Sequence, residues 1–214
     1  MNNNNWQVSE FHENGNKKTE LLDLGFIVKY KKYYEGGEIH ITGGLVEGKP
    51  EGLHVIYFRS GGLEITVNYI SGVKEGQEIM YYESGEKLQV ANYKNGKYEG
   101  KITAYFKNGN IQSLISVVKE LRFGETLEYY ESGSIRVVRD FSSHDVQEAT
   151  GFYESGVIGS KATLINNELD GIFEVYDENG NLAIKQLYKD RPPNSLDVRF
   201  SLLFCVRIFI IFYY

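Results

Sequence analysis

The feature that most constrains this chain is a short motif that recurs along most of its length. An aromatic pair, replaced by Phe11-His12 in the first copy and by Tyr176-Asp177 in the last, is followed by a polar turn and a glycine. The eight copies are Phe11–Gly15, Tyr33–Gly37, Tyr57–Gly61, Tyr81–Gly85, Tyr105–Gly109, Tyr129–Gly133, Phe152–Gly156 and Tyr176–Gly180. The final glycines follow one another at intervals of 22, 24, 24, 24, 24, 23 and 24 residues. Such regular spacing indicates a tandem repeat with a period of about 24 residues.

A second turn falls inside each repeat, eleven positions after the motif glycine. It reads Glu47-Gly48, Ser71-Gly72 and Asn95-Gly96, and then degenerates to Glu120, His144 and Asn167. Dipeptides such as Asn-Gly favour tight hairpin turns because glycine and asparagine tolerate positive φ. Another glycine recurs fifteen positions after the motif glycine, at Gly52, Gly76, Gly100, Gly124 and Gly171. Two turns per repeat leave two short strands, so each repeat is predicted to be one β-hairpin.

Apolar residues are frequent at even distances from the motif glycine, as at Leu63, Ile65, Val67 and Tyr69. A period of two predicts that these residues share the buried face of a strand. The odd positions, which include Glu64, Asn68, Gln112, Ser116, Arg136 and Asp140, are predicted to form the wetter face.

An isolated hairpin is marginally stable in water, so neighbouring hairpins are expected to pair into a longer array. We predict an all-β fold, an elongated and twisted single antiparallel sheet of tandem hairpin repeats. The predicted organisation is an N-terminal tail (1–10), an array of about seven to eight repeats (11–190) and an apolar C-terminal tail outside the repeat (191–214).

The pattern Tyr-Tyr-x-Ser/Asn-Gly-x-Leu/Ile, followed by Tyr-x-x-Gly-x-x-x-Gly, resembles the MORN-repeat variant found in bacterial proteins. Some of those proteins are regarded as antitoxins of polymorphic-toxin systems. The resemblance covers about residues 11–190. It implies a scaffold or binding surface whose partners are toxin domains, cytoskeletal proteins or phospholipids.

The sequence contains no recognisable catalytic or metal-binding motif. The four histidines, His12, His40, His54 and His144, occupy different repeat positions and lack metal-ligand spacing. Phosphate-loop, zinc-protease and hydrolase motifs are missing from the sequence as well. We therefore predict no catalytic residue, no metal and no cofactor, and we expect the chain not to be an enzyme.

Carboxylates recur just before several motif glycines, at Glu35, Glu83, Glu131 and Glu154. A row of carboxylates can bind cations or a basic partner, whereas polar residues at solvated turns have no such role. Arg59 and Lys107 interrupt the row, which favours the second interpretation.

Adjacent residues in a strand point to opposite sides, so one member of each aromatic pair is a candidate for exposure. Tyr82, Phe106 and Tyr130 are the predicted interaction face, because a ladder of exposed aromatic rings favours protein binding. The alternative is that both members of each pair pack within the sheet.

The net charge of −6 argues against binding to nucleic acid. The N-terminus resembles no secretory signal, and one cysteine, Cys205, is compatible with a reducing compartment. We therefore expect a cytoplasmic protein.

The repeat pattern ends after Tyr188-Lys189-Asp190, and residues 198–214 are almost entirely apolar around Arg207. Three interpretations are open for this tail: a reading-frame or gene-fragment artefact, a strand that caps the sheet edge, or a membrane anchor. The anchor is energetically marginal because Arg207 opposes insertion. Membrane contact is expected only through residues 198–214.

Together these features favour a non-catalytic scaffold for protein–protein interaction, and the resemblance extends this expectation to an immunity partner of a bacterial toxin. The alternative is a peripheral phospholipid-binding or membrane-associated repeat protein.

Overall fold

The computed structural model describes residues 5–189 except 142, 144, 145 and 167, and every regular element in that part of the chain is a β-strand. The all-β fold class is therefore confirmed. The strands are β1 (Gln7–Phe11), β2 (Lys17–Asp23), β3 (Val28–Tyr33), β4 (Ile39–Val46), β5 (Lys49–Tyr57), β6 (Leu63–Ile70), β7 (Val73–Tyr81), β8 (Lys87–Lys94), β9 (Lys97–Tyr98), β10 (Gly100–Tyr105), β11 (Ile111–Val118), β12 (Leu121–Arg122), β13 (Glu125–Tyr129), β14 (Ile135–Asp140), β15 (Val146–Phe152), β16 (Ile158–Ile165), β17 (Glu168–Tyr176) and β18 (Leu182–Tyr188).

The chain divides into two compact units. The first comprises Met1–Asn110 with Val117–Leu121, and the second comprises Ile111–Ser116 with Arg122–Tyr214. In the first unit, strands β1 to β8 pair antiparallel with their neighbours in chain order. In the second unit, strands β13 to β18 do the same. Successive antiparallel hairpins are thus the building plan of both units, as the repeat predicted.

The motif glycines close the corners of the hairpins. At one corner the amide of Gly61 donates to the carbonyl of Phe58 at 2.9 Å, and the amide of Phe58 donates to the carbonyl of Gly62 at 2.9 Å. Gly61 has a φ of 89°, which a residue with a side chain rarely adopts. The same pair of bonds recurs at the other motif glycines, so the corners fall in step with the repeat.

A bulge beside the corner corrects the predicted face assignment. Ile56 pairs with Ile65, whereas the adjacent Tyr57 pairs with Leu63, so one extra residue lies in β6. Because Ile56 and Tyr57 point to opposite faces, Leu63 and Ile65 also lie on opposite faces. The prediction that Leu63 shares a face with Ile65, Val67 and Tyr69 is therefore wrong.

The second turn is a two-residue turn at Glu47-Gly48, Ser71-Gly72 and Asn95-Gly96, whereas four residues separate Asp23 from its partner Val28 between β2 and β3. Ile70 pairs with Val73 across Ser71 and Gly72, whose φ angles of 50° and 86° are both left-handed. The degenerate copy at Lys119-Glu120 keeps this conformation without glycine, with φ angles of 52° and 68°. His144 and Asn167 lie outside the described residues.

One face of the first unit is filled by a row of side chains that crosses its strands. Tyr30 pairs with Gly43, Val67 pairs with both His54 and Glu78, and Glu78 also pairs with Ala91. His54, Val67, Glu78 and Ala91 are all buried. We name this side of the first unit the inner face. In the second unit, the core contains Leu169, Phe173, Val175 and Tyr188.

An acidic residue ties three two-residue turns of the first unit to the preceding hairpin. The carboxylate of Glu51 accepts the amide of Ser71 at 2.6 Å, and that of Glu75 accepts the amide of Asn95 at 2.7 Å. Glu99 accepts the amide of Lys119 at 3.3 Å. Each of these acids directly precedes one of the glycines that lie fifteen positions after a motif glycine, which we call the second-series glycines. Each acid bonds to an amide 20 residues ahead. The bond therefore links one repeat to the next.

The ring of His54 leaves no room for a side chain at Gly43. A Cβ on Gly43 would lie 2.3 Å from Cδ2 of His54, which is closer than packed atoms allow. We expect Gly43→Ala to lower the free energy of unfolding by about 1–3 kcal/mol, the usual cost of overpacking. Urea denaturation of the variant measures this loss.

Gly62→Ala is the matched control, because a Cβ there meets the backbone oxygen of Glu83 at an ordinary 3.7 Å. His54→Ala should relieve the clash, so the double variant should be more stable than the two single losses predict. Additive losses would show that the ring of His54 is not the obstacle.

Glu75→Ala should destabilise the protein by about 1–2 kcal/mol, because the amide of Asn95 loses a charged acceptor. Glu75→Gln retains a neutral acceptor and should lose less. Thermal unfolding of both variants, with the exposed turn residue Glu83→Ala as the control, tests the link. Equal stability of Glu75→Ala and Glu83→Ala would contradict it.

Candidate functional site

The predicted interaction face consists of Tyr82, Phe106 and Tyr130, and the structure places all three side chains as half-buried rather than exposed. The hydroxyl of Tyr82 donates to the carbonyl of Tyr105 at 2.8 Å, and that of Tyr130 donates to the carbonyl of Phe152 at 2.7 Å. Phe106 occupies the same repeat position without a hydroxyl. A role for these three residues in partner binding stays a prediction.

The hydroxyl bond recurs wherever the second aromatic of the pair is tyrosine. Tyr34 donates to the carbonyl of Tyr57 at 2.9 Å, and Tyr153 donates to the carbonyl of Tyr176 at 2.7 Å. His12 takes the same position and has its Nε2 2.9 Å from the carbonyl of Tyr33. Burial raises the pKa of Tyr34 and Tyr130, which keeps these phenols protonated as donors. The second aromatic therefore joins its own hairpin to the next.

A closed polar cluster lies on the inner face around Glu78. The ammonium of Lys74 forms an ion pair with the Glu78 carboxylate and lies 4.6 Å from the centroid of the Tyr93 ring. The hydroxyl of Tyr93 donates to Glu78 at 3.3 Å, and its ring lies 4.5 Å from that of Tyr98. Burial, followed by the contact with Tyr98, raises the pKa of Tyr93. The charges of Lys74 and Glu78 neutralise one another, which is typical of a structural ion pair.

A second buried carboxylate, Glu20, is held near the N-terminus of the array. Lys17 bonds to it at 2.6 Å, and the Tyr33 hydroxyl donates to its other oxygen. These two hydrogen bonds, that of Lys17 first, lower the pKa of Glu20. Burial, with the bond to Glu20, raises the pKa of Tyr33 to about 12. Both groups therefore keep their ordinary protonation states near neutral pH.

The described histidines serve in packing and hydrogen bonding. His40 stacks on Tyr34 with ring centroids 4.2 Å apart, and His54 packs edge-on against Tyr69 at 4.9 Å. Within the described part of the chain, no three His, Cys, Asp or Glu side chains come together as metal ligands would. His144 lies outside that part.

Three exposed apolar residues of β4, β5 and β6 lie on the face opposite His54. Leu53 is 60% exposed, and Leu63 is 40% exposed beside its strand partner Tyr57. Ile39 is exposed on the same side, because the bulge at Tyr33 turns it away from Ile41. We name Ile39, Leu53, Tyr57 and Leu63 the outer patch. The repeat pattern locates Leu53, because this residue directly follows the second-series glycine Gly52. The pattern does not show that Leu53 is exposed, because exposure depends on which face of the sheet it occupies.

No helix among the described residues is long and apolar enough to cross a bilayer. The predicted membrane-contact segment, 198–214, lies outside those residues, as does the rest of the predicted tail, 191–214.

Tyr82→Phe should lower the free energy of unfolding by about 0.5–1.5 kcal/mol, because the variant leaves the Tyr105 carbonyl without its donor. Phe58 offers the matched reverse experiment, because it occupies the position of Tyr82 one repeat earlier. Phe58→Tyr supplies a hydroxyl there and should raise stability by a similar or smaller amount. Chemical denaturation of both variants measures the changes, and a neutral Tyr82→Phe would refute a stabilising role for the bond.

Three segments of the chain match the family model described as MORN repeat variant, at residues 74–95, 98–119 and 169–190. No curated protein gives a significant match. Each matched segment begins one residue after the start of β7, β9 or β17 and runs to the next two-residue turn or to the equivalent position. Three of the hairpin repeats are therefore similar to MORN repeat variants, which are generally non-catalytic scaffold or binding modules.

Proposed function

We propose that this chain is a non-catalytic scaffold that binds a protein partner through the outer patch. The observation that carries the proposal is the exposure of Leu53, Leu63 and Ile39 on one face of the first unit. Single exposed apolar residues are common on protein surfaces, but apolar residues grouped on one face are typical of interaction sites.

The composition of the patch supports a protein partner. Tyr57 supplies an aromatic ring among the three aliphatic side chains, and aromatic residues are enriched among those that dominate binding energy. The opposite, inner face is occupied by His54, Val67, Glu78 and Ala91, which are already buried. The outer patch is thus the better surface for a partner.

A more specific form of the proposal is that the partner is a toxin domain and that the chain is its cytoplasmic antitoxin. This form is supported by the resemblance of the repeats to those of bacterial immunity proteins. It predicts that a captured partner is toxic when expressed alone and harmless when co-expressed with this chain.

A phospholipid surface is the competing partner. The net charge of −6 disfavours it, because anionic membranes attract basic segments. Binding to vesicles is therefore one arm of the test.

The test uses the full chain with an affinity tag, and any partner recovered by crosslinking in the native cells is purified for calorimetry. Leu53→Asp should weaken the complex at least tenfold, which corresponds to about 1.4 kcal/mol, because it places a charge in an apolar contact. Gln77→Asp is the matched control, since Gln77 is exposed at the same repeat position one hairpin later.

Equal weakening by Leu53→Asp and Gln77→Asp, or none by either, would remove the outer patch as the binding surface. Sedimentation of the chain with phosphatidylserine vesicles in the absence of protein partners would favour a phospholipid surface over a protein as the partner.

A further inference from the structure

A cationic cluster in the second unit occupies the repeat positions of the Lys74–Glu78 ion pair but has no carboxylate there. Arg122 lies 48 residues after Lys74, which is two repeat periods, and Thr126 lies 48 residues after Glu78. Thr126 is buried, as Glu78 is. The second unit therefore retains the cation of the ion pair and replaces its carboxylate by a hydroxyl.

The residue across the strand changes as well. Glu78 pairs with Ala91, and Thr126 pairs with Arg139, which again lies 48 residues further along the chain. In other repeats this position holds uncharged residues, namely Gly43, Val67, Ile115, Ala162 and Gln186. Arg139 is thus a second cation that the repeat fold does not require.

The surroundings of Arg122 resemble those of Lys74. The Lys74 ammonium lies 4.6 Å from the ring centroid of Tyr93, and the guanidinium carbon of Arg122 lies 5.6 Å from that of Phe141, two repeats later. Phe141 is buried, and its amide donates to the carbonyl of Gly124 at 2.9 Å. The two cations therefore lie over rings at equivalent positions of the repeat.

Arg139 is a cation that its surroundings neutralise only in part. Its side chain is half-buried, and its Nε is buried without a hydrogen-bond partner among the described residues. Burial lowers the pKa of Arg139, whereas the Glu128 carboxylate raises it. The charges of Arg122 and Arg136 lower this pKa further. Glu128 is itself bonded to Arg136 at 2.6 Å, so its charge is shared with another cation.

Three acidic side chains of the neighbouring strands lie on the opposite face. Asp140 follows Arg139 directly, and it pairs with Glu125 on one side and with Glu148 on the other. Adjacent residues of a strand point to opposite faces, so these carboxylates point away from Arg139. The sheet therefore separates them from the cationic cluster.

We propose that Arg122 and Arg139 bind an aspartate or glutamate side chain of a partner protein, whose carboxylate takes the place that Glu78 fills in the first unit. Guanidinium groups bind carboxylates through paired N–H donors in a fixed geometry. Arg122 is exposed, so an acidic side chain can reach the cluster from solvent. The outer patch consists of residues of the first unit, and this site does not depend on it.

A carboxylate supplied by the chain itself tests the site. Thr126→Glu introduces the residue found at Glu78, and Thr126→Gln is the matched control of the same size without the charge. The Thr126→Glu variant should unfold about 2–4 °C above the Thr126→Gln variant, because its carboxylate pairs with Arg122 and Arg139. An equal or lower midpoint for Thr126→Glu would overturn the proposal.

Arg139→Ala provides the second arm, because alanine already occupies the equivalent position at Ala91. In this background the difference between Thr126→Glu and Thr126→Gln should fall. A difference that persists in full would overturn the assignment of Arg139 to the site.

Binding is measured on the full chain by nuclear magnetic resonance of the arginine Nε–H groups. The probe is the acetylated and amidated peptide Ala-Glu-Ala, and the peptide Ala-Gln-Ala at the same ionic strength is its control. The glutamate peptide should shift the Arg139 resonance, and the glutamine peptide should not. Arg122→Ala and Thr126→Glu should each weaken binding of the glutamate peptide at least about tenfold, because the first removes a donor and the second fills the site.

Inorganic phosphate and phosphatidylserine vesicles are the competing probes. A response to the glutamate peptide that is lost in both variants supports the proposal. No response to this peptide, or equal binding by Thr126→Glu, overturns it. A response to phosphate or vesicles alone assigns the cluster to a phosphate group and also overturns it. The titration involves no residue of the outer patch, so failure of this site is distinguishable from failure of the proposed function.

Discussion

The structure depends on hydrogen bonds that join each hairpin to the next. Two short strands cannot offset the entropy of ordering some 24 residues, so a repeat of this size is stable only when its edges are paired. Strand pairing supplies most of these bonds. Two side-chain bonds strengthen them, from the tyrosine hydroxyl at the corner and from the acid before the second glycine, and they act at opposite ends of the hairpin.

This arrangement gives the second aromatic residue of a corner, where it is a tyrosine, a contact inside the protein. The hydroxyl of Tyr82 is committed to the Tyr105 carbonyl, and its ring is half-buried beside Lys107, whose ammonium lies 5.5 Å from the ring centroid. The residues left for a partner are those that the repeat does not use internally. Leu53 and Leu63 project from the face opposite the His54–Glu78 row, which favours that face as the binding surface of the first unit.

Turn chemistry makes the fold predictable from sequence. Gly61 and the other motif glycines adopt left-handed φ angles that residues with a side chain rarely adopt, so their spacing is enough to locate the corners. Glu51, Glu75 and Glu99 also repeat every 24 residues, yet the sequence does not reveal their role, because the amide that each one binds lies 20 residues ahead. The place of His54 in the core is equally hidden, since it requires that Gly43 on the neighbouring strand lack a Cβ.

By itself, the sequence determined the repeat period, the strand-and-corner plan and the all-β class, because each depends on residues only a few positions apart. Tertiary structure decided which face each residue occupies. A bulge of one residue beside the corner reverses the alternation, so Leu63 lies outside and Ile65 inside. Pairing between neighbouring hairpins likewise decided that Tyr82 is an internal contact and that Leu53 remains exposed, because a bond across 23 residues forms only when the next repeat is in place.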